Sequence, residues 1–200
     1  VVIIRPEKGR TARMDRELSE KLRAYKESLS DEEIEELVRS TKELEEYQEE
    51  DETPDYPVHL FVTAEGYFKK ITPQSLRMSN VQKLKEGDTV VFQTETTNKA
   101  ELLFFTDHAQ VYKAKVADFS ETKASVMGDF VASKLGFDEG ERLVGTVVTA
   151  DYQGEVLFFF ENGKVSKVPL SAYETKTNRK KLQKAYSDKS PLIWLTVPTE

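Results

Sequence analysis

"VLFFFENGKVSKVPL", residues 156–170, reads as a β-hairpin: an apolar strand, the pair Asn162-Gly163, then a second strand carrying lysine. Asn-Gly tolerates the positive φ angles of a two-residue hairpin turn. Two other stretches repeat this grammar, "HLFVTAEGYFKKITP" from His59 and "LLFFTDHAQVYKAKV" from Leu102. The three align by their turn positions Gly66, Ala109 and Gly163, which lie 43 and 54 residues apart. Upstream, "KEGDTVVFQTETTNKAELLFFT" aligns with "DEGERLVGTVVTADYQGEVLFFF", Gly87 falling on Gly140 and Leu103 on Leu157. The unit of about 50 residues runs strand, linking turn, strand, tight turn, strand, then an irregular excursion. Units of this length with short strands mark propeller-like arrays, whose small sheets must stack on neighbours to bury both faces. The runs "LLFF" and "VLFFF" are apolar on both faces, as a strand between two covered faces should be.

Four residues past each turn stands a lysine: Lys70, Lys113 and Lys167, with Lys69, Lys115 and Lys164 nearby. A strand edge accepts a solvated lysine because it blocks edge-to-edge pairing. Stacked units, however, would bring three such lysines to one rim, and a row of one sign is what a polyanion backbone contacts. The excursion after the third hairpin, "ETKTNRKKLQKAY", adds Lys176, Arg179, Lys180, Lys181 and Lys184 against Glu174 alone. Its threonines and asparagine also donate to phosphate oxygens. This reading puts the excursion beside Lys164 and Lys167 as the strongest phosphate-binding patch.

The first quarter is written differently. Residues 1–54 hold ten Lys/Arg and seventeen Asp/Glu, and residues 55–200 hold nineteen of each, so the net charge of −7 sits wholly in the first segment. A short strand, "VVIIRPEKG", precedes two amphipathic stripes: Leu18, Leu22, Tyr25 and Leu29, then Ile34, Leu37, Val38, Thr41, Leu44 and Tyr47. Ser30 and Glu33 form a capping box between them. The expectation is an acidic helical hairpin over residues 1–54, repelled by phosphates, then a β domain over residues 55–200. The change of grammar falls at "DETPDYPVHL".

The 200-residue chain has no cysteine, which removes disulfides and thiolate metal sites and suits a reducing cytoplasm. No apolar run reaches membrane-spanning length and no signal peptide is visible. The chain starts with Val, which reads as a fragment or a processed product. The two histidines, His59 and His108, read as strand or turn residues, and no metal, nucleotide or other cofactor site is expected.

Two resemblances add to these readings. "EKLRAYKESLSDEEIEELVRSTKELEEYQEEDETP" is similar to a linker of the presequence protease family of zinc metallopeptidases, but that family's inverted His-x-x-Glu-His motif does not occur. "GYFKKI", "TTNKAELLFFTDHAQVYKAKV" and "GEVLFFFENGKVSKVPLSAYETKTNRKKLQKAYSDKSPL" resemble the C-terminal domain of the A subunit of bacterial DNA gyrase and its topoisomerase IV counterpart. The join between them is natural, engineered or an artefact of sequence assembly. The second resemblance implies a mainly antiparallel β-pinwheel, a propeller variant, here of about three blades after the helical hairpin. It implies a non-catalytic module that binds and bends duplex DNA along a basic rim, in a bacterial, nucleoid-associated type II topoisomerase. The implied partners are duplex DNA, a B subunit, and the rest of an A subunit. Lys69, Lys70, Lys113, Lys115, Lys164, Lys167, Lys176, Arg179, Lys180, Lys181 and Lys184 are the implied DNA-binding residues, and none of the eight tyrosines has the context of the family's nucleophile. Two departures stand out: the gyrase box Gln-Arg-Arg-Gly-Gly-Lys-Gly is absent, and the first hairpin lacks an upstream "EGD…V" half, as if cut near residue 55. A protein-interaction scaffold, or a metallopeptidase fragment resting on residues 1–54 alone, are the alternatives.

Overall fold

The computed structural model describes residues 53–175 and 180–198, together with Ala24, Tyr25, Ser30, Glu35 and Arg39. The chain divides into two compact units, Val1–Glu52 and Thr53–Glu200. In the first, Ala24, Tyr25, Glu35 and Arg39 are helical. The initial strand and the rest of the expected helical hairpin lie outside the described residues.

The second unit is built from three small antiparallel sheets. Each is centred on one of the three expected hairpins: β1 (Pro57–Thr63) with β2 (Tyr67–Ile71), β4 (Glu101–Thr106) with β5 (Gln110–Lys115), and β8 (Glu155–Phe160) with β9 (Val165–Pro169). The registers correspond: Leu60 opposes Lys70, Leu103 opposes Lys113, and Leu157 opposes Lys167. The aligned turn positions share a left-handed backbone, with φ of 88° at Gly66, 54° at Ala109 and 76° at Gly163. The repeat is therefore real at the level of backbone conformation, not only of wording.

Its phase differs from the sequence expectation. Each upstream strand pairs with the hairpin before it. β3 (Val90–Thr97) joins β1, and β7 (Leu143–Thr149) joins β4. In the same way β11 (Leu192–Thr196) joins β8. The first hairpin is therefore not truncated, because its outer strand arrives from downstream. A second downstream segment closes the opposite side of the first two sheets. β6 (Asp129–Phe130) pairs with β2, and β10 (Lys181–Gln183) pairs with β5. The resulting orders are β3-β1-β2-β6, β10-β5-β4-β7 and β11-β8-β9. Gly128 allows the β6 approach: at φ 86° it has no side chain, and a Cβ there would lie 2.2 Å from the Phe68 carbonyl oxygen. A one-turn helix, α1 (Pro73–Met78), follows β2, and a shorter one, α2 (Val131–Leu135), follows β6.

The sheets stack through two apolar layers. Val58, Leu60, Val62 and Phe68 of the first sheet meet Leu102, Phe104, Tyr112 and Ala114 of the second. Leu103, Phe105 and Val111, on the second sheet's other face, meet Val156, Phe158 and Phe160 of the third. "LLFF" is thus covered on both faces, as expected of a doubly apolar strand. β8 is not: its burial alternates, with Leu157 and Phe159 only half-buried on the outward face.

Candidate nucleic-acid interface

The structure separates the aligned lysines. Lys70 is buried, and its ammonium donates to Asn98 Oδ1 at 2.9 Å and to the Val116 carbonyl at 3.1 Å. Burial lowers its pKa, partly opposed by Glu121 and Asp118. Lys69 is buried on the opposite face of β2, donating to Lys83 O at 2.7 Å, Gln82 Oε1 at 3.1 Å and Ala124 O at 3.1 Å. Lys113 is largely covered as well. Its ammonium donates to Thr175 Oγ1 at 3.0 Å and sits 5.0 Å from the centre of the Tyr152 ring. Burial again lowers its pKa, with Glu101 and Glu174 opposing. Lys69 and Lys70 are therefore not rim residues. Each holds a neighbouring segment through three and two hydrogen bonds, because a buried ammonium must be partnered.

Asn98 and Tyr152 are the residues that sequence reading missed. Both stand two positions before the residue whose carbonyl receives the amide that follows the hairpin: Val116 N donates to Ala100 O, and Leu170 N donates to Gly154 O. The aligned lysines of the first two hairpins thus reach the linking turn that leads into the next. The repeated spacing was the available signal, since positions 98 and 152 differ by the same 54 residues as the second and third turns.

Lys167 differs. It is exposed and pairs with Glu155 across its own hairpin at 2.8 Å. Lys164, Lys180 and Lys184 are exposed as well, and Lys115 is half-buried. Lys176 and Arg179 lie outside the described residues. The basic excursion is not placed as expected: residues 181–183 run along β5 of the second sheet rather than beside β9, and the Lys180 carbonyl accepts the Lys113 amide at 2.7 Å. Lys181 is committed to Asp138 Oδ2 at 2.7 Å and lies over the Tyr112 ring. That bond raises the lysine pKa and lowers the aspartate's. Lys184 takes a left-handed conformation, after which the Ala185 amide donates to Ala109 O at 2.8 Å.

Beside Lys181, His108, Asp138 and Glu141 bring ligand-type atoms within 4.8 Å of one another, a cluster the sequence reading did not foresee. Its carboxylates already have donors. Glu141 accepts from Thr106 Oγ1, from Tyr112 OH at 2.7 Å and from the Asp138 amide at 2.8 Å. Asp138 accepts from Lys181 and from Gln110 Nε2 at 3.0 Å. These bonds tie β10 and the 138–142 turn to β5, which is a structural use of the cluster.

Three interlocked small sheets, each completed by downstream strands, invite comparison with solved structures. The C-terminal domain of DNA topoisomerase IV superposes with a TM-score of 0.63 at 23% identity, over 72% of this chain and 46% of that one. The fold is that domain's fold. The E. coli ParC C-terminal domain agrees, with a TM-score of 0.56 at 11% identity, over 72% of this chain and 57% of that one. In sequence, the family model of the DNA gyrase C-terminal β-propeller domain matches residues 100–150. The A subunit of DNA topoisomerase 4 from Bacillus subtilis is 27% identical over 129 residues, 62% of this chain and 16% of the relative, so the chain spans about a sixth of that protein. A peptidase-associated family model matches residues 4–99, running beyond the acidic segment through the whole of β1 to β3. The first pinwheel sheet thus falls within the peptidase-associated match, although its strands are those of the propeller repeat.

Proposed function

We propose that residues 53–200 form a duplex-DNA-binding module of a type IIA topoisomerase A subunit. It contacts phosphates through exposed cations and reads few bases. The observation that carries this reading is the anchored basic excursion of a gyrase-like domain: β10 is fixed along β5, so that Lys180 and Lys184 flank it with exposed side chains. Lys164 and Lys167 add cations on the third hairpin, and Lys176 and Arg179 belong to the same excursion. Bending duplex DNA over this surface costs on the order of a few kcal/mol, offset by the additional phosphates that the curve brings within reach. On this reading the partners are duplex DNA, a B subunit, and the rest of the A subunit, in a bacterial cytoplasm at the nucleoid. The acidic residues 1–52 contribute no affinity.

The test is binding of a labelled duplex across a salt series. Each phosphate contact contributes about 0.9 to the slope of log affinity against log salt. Replacing Lys164, Lys180 and Lys184 together by alanine is expected to flatten the slope by up to roughly 2.7, about equally for unrelated sequences. An unchanged slope would remove these lysines from the interface, and absence of duplex binding by the parent chain would remove the reading.

A further inference from the structure

The turns of the first two hairpins each hold a cation, and they obtain it differently. The repeat aligns Glu65 with His108 by the turn positions, and Lys85 and Asp88 with Asp138 and Glu141 through Gly87 and Gly140. In the first sheet these positions supply their own cation: Lys85 Nζ lies 2.6 Å from Glu65 Oε2. In the second an aspartate replaces that lysine, and His108, Asp138 and Glu141 bring ligand-type atoms within 4.8 Å of one another. The cation is borrowed from a distant segment, Lys181, whose ammonium sits 2.7 Å from Asp138 Oδ2. An independent observation points to the same spot. Gln110 is only 9% exposed and its Nε2 donates to Asp138 Oδ2 at 3.0 Å, yet its Oε1 is buried with no hydrogen-bond partner among the described residues. A buried acceptor without a donor is costly. A half-turn of that amide sets Oε1 against Asp138 Oδ2, an arrangement that a cation between the two oxygens satisfies.

We propose that His108, Asp138, Glu141 and the turned Gln110 amide form a site for a divalent transition-metal cation of the zinc type, which takes the place of the Lys181 ammonium. One imidazole nitrogen with carboxylate and amide oxygens is a donor set for such an ion, whereas magnesium and calcium take oxygen ligands. Tetrahedral zinc bonds of about 2.0–2.2 Å set ligand atoms roughly 3.4 Å apart, so no pair within the 4.8 Å limit has more than about 1.4 Å to close. His108 and Asp138 are exposed on turns. Glu141 is buried, and its bonds from Thr106, Tyr112 and the Asp138 amide orient it as a ligand. Charge favours the exchange: two carboxylates beside one ammonium leave a negative charge uncompensated, and a divalent ion compensates both. The proposal does not depend on DNA binding.

The chain has two histidines, so one proton spectrum compares His108 with His59 on β1. The full 200-residue chain is titrated with zinc chloride while the two imidazole Hε1 signals are followed, and affinity is measured by calorimetry. The His108 signal should shift and saturate at one equivalent with His59 unmoved, and magnesium or calcium at the same concentration should move neither. His108→Asn should weaken the site about tenfold or more, and Gln110→Leu should weaken it by a smaller factor. Lys181→Met should tighten it, because the competing ammonium is gone. An adventitious contact with one surface imidazole would respond to neither Gln110 nor Lys181. If Lys181→Met unfolds by circular dichroism, Gln110→Leu decides in its place. A His108 signal that zinc leaves unmoved, one that moves only in step with His59 or equally with magnesium, or an affinity insensitive to these substitutions or lowered by Lys181→Met would each overturn the proposal.

Discussion

The first and third hairpins carry the same turn, the same register and a lysine at the same place, yet the two lysines have opposite surroundings. Lys70 is 3% exposed and spends its ammonium on Asn98 and Val116. The Lys167 side chain is 59% exposed and, among the described residues, is ion-paired with Glu155 of its own hairpin. Lys113, in the middle sheet, is intermediate in position and in surroundings: 11% of its side chain is exposed, beneath Tyr152. The difference is not in the strand that bears the lysine. It lies in whether a following linking turn arrives to cover it. A repeat position therefore specifies where a side chain stands, while the neighbouring unit specifies what that side chain does.

The sharpest way to break this comparison is to remove each ammonium in turn. Lys70→Met should leave Asn98 Oδ1 and the Val116 carbonyl without this donor and cost about 2–4 kcal/mol in denaturant unfolding. Lys167→Met should change stability by no more than about 0.5 kcal/mol, because an exposed ion pair contributes little. Equal losses would mean that the two hairpins are energetically alike after all.

A second test concerns how closely the covered sheets approach. A Cβ on Gly145 would lie 2.7 Å from Leu195 Cγ, so the third sheet seats a leucine on a bare backbone position of the second. Gly145→Ala should cost about 1–3 kcal/mol by overpacking. Combining it with Leu195→Ala should be less harmful than the sum of the two single changes. Strict additivity, measured by equilibrium unfolding, would show that the contact does not hold the sheets together.

The smallest effect tests the turns themselves. Gly163 is left-handed, and a Cβ there meets nothing within 4 Å, so Gly163→Ala should cost only the backbone penalty of about 1 kcal/mol. Ala109 already occupies the equivalent turn position at φ 54°, which shows that alanine is accommodated when the sheet is covered on both faces. A loss several times larger would mean that the third hairpin depends on its turn more than the second does.

Much of the fold was legible. Alternating apolar strands, turn residues and the spacing of Gly66, Ala109 and Gly163 located all three hairpins and their lysines. The phase was not legible. β3 and β7 look continuous with the hairpins that follow them, since only a few residues separate β3 from β4 and β7 from β8. Nothing in their composition records that their hydrogen bonds run backwards to β1 and β4. The candidate site was legible as a set of cations but not as a surface. Lys69 and Lys70 resemble exposed edge lysines in sequence, and only their distant acceptors, 13 to 55 residues away, draw them inside.

What the sequence determined by itself is local: strand and turn identity, the unit length, the acidic first quarter and the basic excursion at 174–186. These follow from side-chain alternation, backbone tolerance and charge, which act over a few residues. What only the tertiary structure decided is which face of each sheet is covered, which lysines become internal clamps, and where β10 sets the basic stretch. Those outcomes depend on pairing and burial between segments far apart in the chain. A buried ammonium is tolerable only where distant carbonyl and amide oxygens converge on it, and that convergence exists only once the sheets have stacked.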